Sequence, residues 1–269
     1  MGDFEVKSRE WIYRFFVLWY GAGVILVALD LLPPTLEWAN SVFLILAGLI
    51  SIFFAIEKFG KKMGLFLSLF IFAASMFAES LGVHTGFPFG HYSYEQDFGV
   101  RIMGVPATIG FAWIFIIFSG LSMFGWLLDK KSFTYRLLYM AASSISAVLI
   151  DMVIDPVAFN VKQYWIWKES GLYYGIPVQN FLGWFFVSFI IQTGISYAES
   201  SSMPDGALKL VWENRLKRVY AMVLLMFILT AVIAQLYAAA IVGAAGLILL
   251  RLIIGRSDRF DYTKEKFPV

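Results

Sequence analysis

Apolar runs of roughly 20 residues recur along this chain of 269 residues, each about the length an α-helix needs to cross some 30 Å of hydrocarbon. They lie at Trp11–Asp30, Trp38–Ile56, Met63–Glu79, Val105–Leu128, Tyr135–Asp155 and Pro177–Tyr197. A last stretch, Val219–Ile254, stays apolar for about 36 residues, which as one helix of about 54 Å would overshoot any bilayer. It must fold back on itself, and the polar interruption near Gln235 to Ala238 is the place for the turn. Hydrophobic residues make up 60% of the chain and aromatic residues 18%, more than one water-soluble core of this size could hide. The expected fold is an all-α integral membrane bundle of eight helices, a single transmembrane domain over residues 1–269.

Charge orients the bundle, because short cytoplasmic loops are enriched in Lys and Arg. With the N-terminus inside, Lys7, Arg9 and Arg14, Lys58, Lys61 and Lys62, Lys130, Lys131 and Arg136, and Lys209, Arg215, Lys217 and Arg218 all fall inside. Eight helices add the C-terminal Arg251, Arg256, Arg259, Lys264 and Lys266, leaving only Arg101, Lys162 and Lys168 of the 21 basic residues outside. A seven-helix chain would send the C-terminal five outside, so it ranks second. Both termini are therefore expected in the cytoplasm, with the protein in the cell membrane and its first helix uncleaved. The basic inner face and the net charge of +2 fit anionic lipid, not nucleic acid. The absence of Cys excludes disulfides and thiolate chemistry. Small residues four apart, as in Ala239 and Gly243 or Ala142 and Ser146, suit close helix packing in lipid.

Ionisable groups inside apolar spans are costly and mark candidate sites. Asp30, Glu79, Asp151 and Asp155 all fall at the outer ends of their helices, level with Gln179 and Asn180 at the start of the sixth. Asp151 and Asp155 are four residues apart and share one helix face, after which Pro156 is expected to end the helix. Two ionised carboxylates that close, partly out of water, repel, which favours one proton on the pair and sets a general acid beside a general base. Glu79 joins them if the third and fifth helices pack together. The plainer alternative is that helix-end carboxylates meet water, headgroups or a partner such as Arg101.

The two long outer loops, 81–104 and 156–177, are dense in Gly, Pro and aromatic rings, and are expected to fold down onto the helices. An aromatic belt at the headgroups accounts for many of these rings. The rest can line a long apolar or polyene ligand and face a cation formed on it. Phe87, Phe89, His91, Tyr92, Tyr94, Trp165, Trp167, Tyr174 and Trp184 are the candidates. His84 and His91, the only histidines, match no standard metal-ligand spacing even with Glu79. The chain has no P-loop, dinucleotide fingerprint or Asp-rich diphosphate motif, so neither metal nor cofactor is expected.

The residues Glu79, TGFPFGHYSY at 85–94, GVP at 104–106, DMVIDPVA at 151–158 and WIWKESGLYYGIPVQNFLGW at 165–184 resemble the membrane carotenoid hydratases. Those enzymes act on bisanhydrobacterioruberin in archaea and on lycopene or γ-carotene ends in bacteria. The resemblance covers residues 79–184, while the first two and last two helices match only in hydropathy. It implies cofactor-free addition of water across the terminal isopropylidene double bond of an acyclic carotenoid end, giving a tertiary alcohol. A carotenoid substrate, the lipid bilayer and other enzymes of the same pathway are the implied partners. On this reading Asp151 or Glu79 donates the proton, Asp155 acts as base, and Asn180 and His84 orient water. A lycopene-type cyclase, which begins with the same protonation, and a proton or ion carrier are the competing functions. Asp155, Asn180 and the histidines favour water as the quencher, and the carboxyls gather at one membrane surface instead of spanning the midplane as a carrier would require.

Overall fold

A computed structural model of the chain describes residues 3–29, 31, 38–95, 99–199 and 206–266, with side chains described between 7 and 255. Eight helices carry it: α1 (Asp3–Ala28), α2 (Trp38–Phe59), α3 (Lys61–Thr85), α4 (Ala107–Phe124), α5 (Phe133–Asn160), α6 (Val178–Ala198), α7 (Ala207–Ile233) and α8 (Tyr237–Lys266). All eight contain a segment long and apolar enough to cross a membrane, so the protein is a polytopic helical membrane protein. The long run at the C-terminal end does turn back, through residues 234–236, where Gln235 adopts a left-handed conformation with φ of 61°. An even number of spans brings the start of α1 and the end of α8 to one end of the bundle, the terminal end, and the two long connections after α3 and α5 to the other, the loop end.

Helix α4 is the axis of the bundle. Every residue from Trp113 to Phe124 is buried, as befits a helix apolar on all sides. Close approach depends on small residues: a β-carbon on Gly64 would lie 2.7 Å from the Ala55 carbonyl carbon, and one on Gly243 would lie 2.7 Å from Ile228 and 3.0 Å from Val153. The first pins α3 to α2, and the second lets α8 pack into α7 and α5.

Two boundaries beside the candidate carboxyls shift. Helix α3 runs past Glu79 to Thr85 and ends at Gly86, whose φ of 78° supplies the left-handed cap with its N–H on the Gly82 carbonyl. Helix α5 is not ended by Pro156 but continues to Asn160 with the proline inside it. The missing proline N–H leaves the Met152 carbonyl without its helical donor. The Tyr173 hydroxyl replaces it, donating to Met152 O at 2.9 Å, so the connection after α5 repairs the break that would otherwise stop the helix.

The loop end carries the strands. Tyr92–Tyr94 forms β1, Arg101–Ile102 forms β2, Val105–Pro106 forms β3 and Trp165–Trp167 forms β4. Strands β2 and β3 make a tight hairpin whose two turn residues, Met103 and Gly104, both have positive φ. Strands β1 and β4, from different loops, pair antiparallel with Tyr92 opposite Trp167 and Tyr94 opposite Trp165. Backbone bonds from Glu95 to Tyr164 and from Lys168 to His91 extend this ribbon at both ends.

Candidate active site

Side chains two apart on a strand point to the same face, so the β1–β4 ribbon turns Tyr92, Tyr94, Trp165 and Trp167 toward the helices together. Each strand serves one carboxyl. From β1, the hydroxyls of Tyr92 and Tyr94 both donate to Glu79 Oε2, the latter at 3.0 Å. From β4, the indole N–H groups of Trp165 and Trp167 both donate to Asp155 Oδ1, at 2.6 and 3.3 Å. Trp113 of α4 completes Glu79 by donating to Oε1 at 2.9 Å. Burial and the neighbouring Glu79 charge push the Tyr92 and Tyr94 phenols well above their ordinary range, so both remain donors.

The Asp151–Asp155 pair does share a face, one turn apart on α5. Asn180, at the start of α6, donates from Nδ2 to Asp151 Oδ2 and to Asp155 Oδ2, both at 2.8 Å. All four polar side chains are nearly sealed, with Glu79 4%, Asp151 3%, Asp155 1% and Asn180 2% exposed. The two aspartates are held differently. Asp155 accepts three N–H bonds, two of them from indoles that can only donate, whereas no described hydrogen bond engages Asp151 Oδ1. No ion pair among the described residues reaches Glu79, Asp151 or Asp155. Arg101, a candidate partner on sequence grounds, donates to the Tyr94 carbonyl at 3.2 Å.

The three carboxyls and Asn180 line a cavity of about 280 Å³ whose walls are otherwise largely aromatic and aliphatic. Trp113 and Trp184 stack in it with centroids 4.2 Å apart and planes at 11°, and Phe89 lies against both. Phe89 is seated by two glycines. A β-carbon on Gly82 would meet its ring at 2.9 Å, and one on Gly183 at 2.7 Å, so α3 and α6 each give up a side chain for it. Gln179 anchors the same loop by donating to the Gly86 carbonyl at 3.1 Å.

Of the sequence-derived candidates, Glu79, Asp151, Asp155, Asn180, Phe89, Tyr92, Tyr94, Trp165, Trp167 and Trp184 thus meet at one cavity. Four others lie apart. Because α3 continues to Thr85, His84 is an exposed helix-end residue bonded through Nδ1 to the Ser80 carbonyl at 2.8 Å. His91 pairs with Glu169 at the surface, 2.8 Å away. Phe87 is 68% exposed. The Tyr174 hydroxyl accepts the Ala238 N–H at 2.9 Å, satisfying an otherwise unpaired donor at the start of α8. Asp30 lies outside the described residues. Trp113 is the contributor that sequence reasoning missed, since a Trp inside an apolar run looks the same whether it faces lipid, core or a ligand.

Residues 39–253 match the family model described as carotenoid biosynthesis protein. The chain belongs to this family. Over 109 residues it is 34% identical to the bisanhydrobacterioruberin hydratase of Haloarcula japonica, an alignment covering 39% of this chain and 36% of that protein. The chain thus aligns with only about a third of that relative's length. No solved structure matches.

Proposed function

We propose that the protein is a carotenoid hydratase of the cell membrane that adds water across the terminal isopropylidene double bond of an acyclic carotenoid end. The observation that carries this reading is the unequal pair joined by Asn180, in which Asp155 is saturated with donors and Asp151 keeps one oxygen unengaged at an apolar cavity. Donor-only indoles stabilise a carboxylate, so Asp155 holds the negative charge and Asp151 carries the proton on its free oxygen.

Asp151 transfers that proton to the less substituted alkene carbon, as its O–H bond breaks and a C–H bond forms. A tertiary cation is left on the other carbon. The stacked Trp113 and Trp184 and the ring of Phe89 offer it π-faces, and the Asp151 carboxylate just formed offers charge. A water molecule forms the C–O bond and its spare proton goes to Asp155 as general base. Proton return from Asp155 to Asp151, which share the Asn180 amide, resets the pair. Glu79, with three donors, acts as a fixed anion that steadies the cation and the ribbon above it. On this reading the loop end faces outward, which the basic residues of the terminal end support.

Expression in cells that accumulate lycopene, followed by mass analysis of extracted pigments, tests the reading. A product heavier by one or two waters is expected. An isomeric product would mean cyclisation, and unchanged lycopene beside abundant membrane-inserted protein would remove lycopene hydration.

A further inference from the structure

The cavity does not stop at the carboxyls. It extends along α1, α2 and α7, reaching Trp19, Gly23 and Val27 of the first, Phe43 of the second and Phe227 of the third. This arm presents carbon surface almost throughout. Its α1 wall is also the least packed helix of the bundle: from residue 17 onward no described residue of α1 is buried.

The fastening of α1 is lopsided. Near its start Arg9 meets Glu57 at 2.6 Å, and Arg215 of α7 pairs with Glu10 while lying 4.5 Å from the Tyr13 ring and 4.7 Å from Trp212. Further along, Trp19 ties α1 to α2, donating to the Ala39 carbonyl at 3.2 Å. The charged and aromatic contacts described between α1 and α7 lie at the terminal end, away from the arm. At Gly23 a β-carbon would find nothing within 4 Å. A helix gives up roughly 1 kcal/mol for a glycine over alanine, and here it keeps open space facing the cavity.

We infer that this arm is the seat of the polyene chain behind the reacting end, which lies between α1, α2 and α7 and continues through the α1–α7 seam into the bilayer. The inference rests on the hydratase reading for the identity of the reacting end. A cavity of about 280 Å³ cannot enclose a molecule comparable in length to the hydrocarbon thickness of about 30 Å, so an open seam is what such a substrate requires. The arm is continuous with the carboxyl cluster, and its aromatic and aliphatic walls suit a conjugated hydrocarbon.

Gly23→Trp and Gly21→Trp separate the arm from the fold. Both glycines have open space around them, but only Gly23 lines the cavity, so the first substitution fills the arm and the second is a control. Two quantities are read in lycopene-containing membranes: pigment that stays bound to the purified protein, and hydrated product. A short acyclic isoprenoid alcohol with the same isopropylidene end is supplied as a second substrate. In Gly23→Trp, bound and hydrated lycopene should fall about ten-fold or more as the arm becomes overfilled, with hydration of the short alcohol retained and Gly21→Trp unaffected in both. Full binding and hydration of lycopene by Gly23→Trp would overturn the inference and leave the arm to a lipid acyl chain, and loss of the short substrate as well would overturn it too. Wild-type protein that binds lycopene through Gly23 yet makes no alcohol would remove the hydratase reading and keep the seat.

Discussion

Two sets of carboxylates, one at each end of the bundle, are held in opposite ways. At the terminal end Glu57 has Arg9 at 2.6 Å, Glu199 has Lys58 at 2.9 Å, and Glu10 has Arg215. At the loop end Glu79, Asp151 and Asp155 are met only by the neutral donors of Tyr92, Tyr94, Trp113, Trp165, Trp167 and Asn180. A cation fixes a carboxylate as an anion. Neutral donors fix its position without bringing a positive charge, so which carboxyl keeps a proton turns on how many donors each one has. On the hydratase reading, the terminal end fastens helices and the loop end moves protons.

The sharpest way to break that contrast is Asp151→Asn, which keeps the shape and the Asn180 neighbour but removes the acid. Hydration should drop by about 10²–10⁴-fold, the usual contribution of a positioned acid, in pigment assays normalised to membrane protein. Activity within a few-fold of wild type would move the proton donor elsewhere. Asp155→Asn should also cost about 10²-fold or more, with the amide a poor match for two indole donors. A smaller effect belongs to the terminal end: Lys58→Met alone should lower stability by up to about 3 kcal/mol, because Glu199 loses its bonded cation and keeps only the field of Lys209, measured as thermal unfolding in detergent. Adding Glu199→Gln should recover most of that loss, and the products per folded molecule should match wild type in both variants. Trp165→Phe removes one of the three donors to Asp155, a loss of about 1.5–3 kcal/mol for a bond to a charged group. It should appear as lower turnover with little change in bound pigment, and an unchanged rate would mean that Asp155 does not need to be held as an anion.

The parts of this arrangement legible in the sequence are those set by local periodicity and charge. Hydropathy located the eight spans, and the four-residue spacing of Asp151 and Asp155 put them on one face. Helix ends were less legible where tertiary contacts intervene. Nothing local to Pro156 says that Tyr173, in the next connection, will donate to Met152 and keep the helix going. By sequence His84 belongs to the loop, because Glu79 looks like the end of an apolar run, although the Gly86 cap lies beyond it. The ribbon was hidden altogether, since β1 and β4 are three residues each and pair across two membrane spans. Their aromatic residues were visible as candidates, but not their division of labour, two donors to Glu79 and two to Asp155.

That pairing across two spans also sets an order of assembly. Glu79 and β1 emerge early, but β4 follows only after α4 and α5 have been made, so β1 begins life as an open strand edge, a condition that proteins normally keep brief. Closing the ribbon means closing a loop that contains two whole helices, the kind of distant contact that forms slowly. The carboxyl cluster is thus finished late in synthesis. A chain that ended at residue 164 would carry Glu79, Asp151 and Asp155 with neither indole available to Asp155.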